Sequence, residues 1–83
     1  MIVVINTDKS VNQLNKVDLS ELNQISGFDT YEDIPCLAYV NKIGSQEFNV
    51  LATKLWQEQF PYSKYGLYGT VVIVTTEKTN AIV

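Results

Sequence analysis

Two β-branched runs, Ile2-Val3-Val4-Ile5 and Thr70-Val71-Val72-Ile73-Val74-Thr75-Thr76, stand near opposite ends of this 83-residue chain. Each is short, and each is rich in residues that fit a pleated surface. Runs of this kind read as strands buried on both faces or placed at the centre of a sheet. A chain of this length has one core, so both runs must enter it. Setting them side by side buries both.

The segments between them supply the rest. Asn6-Thr7-Asp8-Lys9-Ser10 is a cluster of turn formers, and residues 11–16 fit a short second strand or an extended loop. Asp18 followed by Glu21 has the spacing of a capping box, with Val17 and Leu22 placed as a hydrophobic staple. Leu19, Leu22 and Ile25 then fall near one helical face and Gly27 suits a C′ position, so a short helix is expected over 18–26. Pro35 cannot donate to a ladder, which places an edge or a turn there. Residues 36–43, CLAYVNKI, form a further strand. Phe48, Leu51, Ala52, Leu55 and Trp56 repeat at helical spacing, predicting a second helix over 46–59 with Ser45 as N-cap and Pro61 beyond its end. Together these describe an α+β, two-layer single domain over 1–83. An antiparallel or mixed sheet of three to five strands carries both helices on one face, and the tail 77–83 is frayed.

The side chains absent from the chain narrow its chemistry. It has no histidine and no arginine; six lysines face nine acidic residues, giving a net charge of −3. Histidine is the commonest general base and metal ligand, and arginine the bidentate reader of phosphate and guanine. Without a basic stripe, nucleic acid is not a favoured partner. Cys36 is the single cysteine, so no internal disulfide forms and a reducing compartment is expected. The start Met1–Ile5 lacks the charged and apolar regions of a signal peptide, and no apolar run approaches a membrane span. A cytoplasmic protein is the expectation.

Several short motifs carry a resemblance. Leu22-Asn23-Gln24-Ile25-Ser26-Gly27, Val40-Asn41, Gly44, Ala52-Thr53-Lys54-Leu55-Trp56 and Gly69-Thr70-Val71-Val72-Ile73-Val74 occur in that order. This pattern resembles a family of small phage- and plasmid-borne domains without assigned function, over about residues 1–76. The family often carries a Leu-Pro-x-Asn element before its helix, where this chain has Gln46-Glu47-Phe48-Asn49. The resemblance implies a mobile-element origin and a host-cell setting, and it brings no catalytic residues.

Candidate sites are few. Asp29, Glu32 and Asp33 are the densest acidic group, yet their spacing matches no cation loop. Cys36 has no histidine to activate it and reads as a buried apolar residue. No GxGxxG or P-loop is present, so no cofactor is expected and no catalytic residue is assigned. Tyr62, Tyr65 and Tyr68 instead recur every third residue in the loop 61–69, with Lys64 among them and Glu58 nearby. Two alternatives stand for this loop. Two of the rings fold over the helix end and cap the core, or the loop is a binding edge. The functional expectation is a non-enzymatic protein that binds and inhibits a host protein through Glu58, Tyr62, Lys64, Tyr65 and Tyr68. A small-ligand or nucleotide-sequestering module is the alternative, and homo-oligomerisation is a third possibility because small cores gain stability that way.

Overall fold

In the computed structural model, which describes residues 1–62 and 64–75, the two β-branched runs do pair. The first, β1 (Ile2–Ile5), runs antiparallel to the strand Val71–Thr75, with Ile2 opposite Val74 and Ile5 opposite Val71. Between them in sequence lie β2 (Val11–Leu14), β3 (Leu22–Gln24), β4 (Thr30–Tyr31), β5 (Ile34–Asn41) and the helix α1 (Val50–Gln59); Val71–Thr75 is therefore β6. The sheet order is β2-β1-β6-β5-β3, with β4 forming a hairpin on β5, and every pairing is antiparallel.

Among the described residues the sheet is larger than expected, six strands in place of three to five, and one α-helix replaces two. The difference lies at residues 18–26. Asp18 does act as a cap, its carboxylate accepting from the Ser20 N–H at 3.0 Å, but only a single 3₁₀ turn, Leu19–Glu21, follows. The chain then extends as β3 along β5, where Ile25 N–H donates to Ala38 O at 2.7 Å. A two-turn helix is not self-supporting in water, and the free edge of β5 offered the backbone a better set of partners. Gly27 is needed for another reason than a helix end: its φ is +84° and a Cβ there would lie 2.9 Å from the Phe60 ring.

The second helix forms, but it starts at Val50 and not at 46. Its N-cap is Asn49; Ser45 instead accepts from the Glu47 N–H in a local turn, at 3.1 Å. Strand boundaries shift by two residues at β5, which spans 34–41 and not 36–43. Pro35 sits at the β4–β5 hairpin opposite Thr30, beyond the stretch of β5 that pairs with β6. The hairpin tip is Glu32-Asp33, at φ +51° and +66°, the signs of a type I′ turn. The tail 77–83 lies outside the described residues.

Alternation along the strands decides what the helix covers. Val3, Ile5, Cys36, Ala38, Val71 and Ile73 face Ala52 of α1 and Phe28 in the core, with Leu51, Leu55 and Trp56 packed against them. Trp56 Nε1 donates to Ser26 O at 2.9 Å, and the Gln59 amide bridges to Asp29 N, Thr30 N and Thr30 O at 2.8–2.9 Å. These bonds fix the helix to the chain that enters the hairpin. The opposite face of the sheet carries the alternate residues. One row reads Leu14, Ile2, Val74, Leu37 across the strands, and the next Asn12, Val4, Val72, Tyr39, Gln24. No described helix lies over them.

Candidate functional site

The tyrosine loop leaves the end of α1 and returns along it. Phe60 N–H closes the helix on Trp56 O at 2.8 Å. By Leu67 the chain has come back beside Thr53, whose Oγ1 accepts from the Leu67 N–H at 2.8 Å. Leu67 O accepts from Asn49 N–H at 2.8 Å, and Gly69 N–H donates to Glu47 O at 2.7 Å. At about 1.5 Å per helical residue, Phe60 to Thr53 is roughly 10 Å of return. The loop is therefore a strap along the flank of α1.

Asn49 anchors this region. It is fully buried, and its side chain meets three backbone groups at once. Oδ1 accepts from Ala52 N–H at 3.0 Å, capping the helix, while Nδ2 donates to Ile5 O at 3.0 Å and to Gly69 O at 2.8 Å. One amide thus joins β1, α1 and the end of the strap. Sequence spacing missed it because Ser45 and Asn49 are equally good caps by type.

The strap turns its tyrosines outward and Leu67 inward. Leu67 is buried, and it seals the core. Tyr62 and Tyr65 are 86% and 78% exposed, and Tyr68 is 49% exposed. The core-capping alternative is therefore corrected: the tyrosines do not cover the core, Leu67 does. Glu58 and Lys64 are exposed as well. The five residues do not converge on one point. Tyr62 follows the C-terminal end of α1, whereas Tyr68 sits at its N-terminal end. There Tyr68 bridges to Phe48 and meets its ring edge-on, at 5.4 Å and 70°. Gly66 makes that contact possible, since a Cβ there would fall 2.2 Å from the Phe48 ring.

Beside Tyr68 is an open cleft of about 310 Å³, lined by Ile43, Ser45, Glu47, Tyr68 and Thr70 among others. Ile43 is strongly exposed on its rim. Glu47 is the single charged residue of that lining. Ile43, Phe48 and Glu47 were not expected at this site; the helix predicted over 46–59 had drawn Phe48 into the core.

The remaining candidates are placed plainly. Glu32 and Asp33 form the exposed hairpin tip, and Asp29 is exposed at its base. Among the described residues, no group of three or more Cys, Asp or Glu side chains is arranged to hold a metal ion. The Cys36 thiol is buried against Phe28 O, and burial, followed by the Asp29 charge, pushes it up to about 11. It is a thiol and not a thiolate near neutral pH. No described helix is long and apolar enough to cross a membrane. Comparison with protein-family models, curated proteins and solved structures returns no match.

Proposed function

We propose that this chain is a small non-enzymatic protein of a phage or other mobile element that binds a host protein in the cytoplasm and inhibits or redirects it. The reading rests on one observation: Tyr62 and Tyr65 stand almost fully in solvent on a strap whose backbone is held by buried bonds. Tyrosine buries a large area for little lost freedom and keeps a polar tip, which is why it is enriched where proteins meet. A strap that only closed the core needs Leu67 and not the exposed rings. Tyr62, Lys64, Tyr65 and Tyr68, with Glu58 on the adjoining helix, are the proposed contacts. Phe48 and Ile43 extend the surface at its Tyr68 end.

The cleft beside Tyr68 bears on the small-ligand alternative. A nucleotide or other anionic metabolite would meet the Glu47 carboxylate there and no cation. That charge supports the protein-binding reading over nucleotide sequestration. Affinity capture with the wild-type chain and a Tyr65→Ala, Tyr68→Ala variant separates the possibilities. The variant, folded by circular dichroism, is expected to lose a partner that the wild type retains. Equal capture by both removes the strap as the contact surface. A saturable rise in melting temperature with a nucleotide would instead establish the ligand reading.

A further inference from the structure

We infer that the cleft beside Tyr68 is a subsite for a protonated lysine or arginine side chain of the bound partner. It deepens the protein-binding reading and rests on that reading for the source of the cation. Five side chains of the lining carry oxygen, Asn41, Ser45, Glu47, Tyr68 and Thr70, and none carries positive charge. Among the described residues, none bonds or pairs with the Glu47 carboxylate. Lys42, the lysine nearest to it in sequence, lies outside the lining. An unpaired carboxylate in an oxygen-lined wall draws a cation, and the net charge of −3 attracts basic partners from further away.

The backbone holds these walls in place. Gly69 N–H donates to Glu47 O at 2.7 Å, Asn49 N–H donates to Leu67 O at 2.8 Å, and Phe48 bridges to Tyr68. Ser45 packs so closely on Gly69 that a Cβ added there would fall 2.9 Å from the Ser45 Cβ. Ser45 Oγ accepts from the Glu47 N–H at 3.1 Å, and Asn41 Oδ1 from the Ile43 N–H at 2.8 Å. Each oxygen is thereby oriented, and each retains a lone pair for a further donor.

Three chemistries in one cleft select a long basic side chain. Ile43, on the rim, offers apolar surface to an aliphatic stem. The half-exposed Tyr68 ring is available to an ammonium or guanidinium group, and Glu47 supplies the counter-charge. The openness of the cleft decides the source. Small-molecule sites bury most of their ligand, whereas every residue of this lining except Gly69 is exposed. A side chain tethered to a partner that the strap already holds needs no such enclosure.

Amide NMR of the purified chain, titrated with N-acetyl-lysine methylamide and its arginine and glutamine counterparts, tests this. The two cationic probes are expected to shift Ser45, Glu47 and Tyr68 saturably, with dissociation constants on the order of millimolar, and the glutamine probe is not. Glu47→Gln is expected to abolish the shifts and Tyr65→Ala to preserve them. Absent shifts in the wild type, equal shifts with the glutamine probe, or shifts that survive Glu47→Gln overturn the subsite. Butylamine binding more tightly than the lysine probe overturns the side-chain source and gives the cleft to a free amine. Affinity capture separates this inference from the reading beneath it. A captured partner is expected to bind the Glu47→Gln chain roughly two- to fivefold more weakly, the range of an exposed ion pair. A partner lost from the Tyr65→Ala, Tyr68→Ala variant, yet bound by Glu47→Gln as by the wild type, overturns the subsite and leaves the strap standing. Capture of no partner by the wild type removes the strap reading, and with it the partner as the source of the cation.

Discussion

Asn49 carries more of the structure than its size suggests, because its one amide satisfies three buried backbone groups on three elements. Replacing it by alanine removes the cap and leaves the Ile5 and Gly69 carbonyls without that donor. Asn49→Ala is expected to lose about 3 kcal/mol, read as a fall in the urea midpoint at unchanged slope. Asn49→Asp keeps the cap but not the two donors, and it is expected not to rescue. Cys36 gives a second prediction. Its thiol is raised from 9.0 to about 11, so the folded chain holds that proton more tightly than the unfolded one. The resulting stability is complete below about pH 9 and is lost as the pH rises through about 11. Urea unfolding between these limits is expected to show a steeper decline for the wild type than for Cys36→Ala. Iodoacetamide near neutral pH is expected to label Cys36 only once the chain is unfolded.

The strands at either end were legible because nothing but a pair of central strands suits two β-branched runs in so short a chain. The elements between them were less so, and each departure has a physical cause. Asp18 signalled a cap correctly, but Leu22 and Ile25 satisfy an extended chain as well as a helix, since one faces away from α1 and the other enters the core. Only the open edge of β5 decides between them, and that edge is not visible locally. At the other helix, Phe48 fits the apolar period and yet lies outside it, drawn to Tyr68 once Asn49 has capped the chain. The β4–β5 hairpin was missed because Glu32-Asp33 is a poor pair for two positive φ angles. That mismatch is testable: Glu32→Asn with Asp33→Gly is expected to stabilise the fold by about 0.5–1 kcal/mol, seen as a higher melting temperature.

At the scale of the whole molecule the surface divides into two unlike parts. One flank presents tyrosines on a held strap; one sheet face presents aliphatic side chains without charge. The strap was legible from tyrosine spacing, although its course back along α1 depended on Thr53 and Asn49, whose roles no local pattern announced. The aliphatic face was half legible, since runs of β-branched residues imply cover on both sides without saying what supplies it. Because Tyr65 and Tyr68 lie outside the buried core, the Tyr65→Ala, Tyr68→Ala variant is expected to lose about 1 kcal/mol by chemical denaturation, part of it from the Phe48 pair. The pairing of β1 with β6 has a further consequence, for the chain as it is made. Ile5 meets Val71, a residue added 66 positions later. At about 5–20 residues per second, the first strand waits roughly 3 to 13 s on the ribosome for its central neighbour. During that interval the edge of β1 that β6 later fills lacks its native partner.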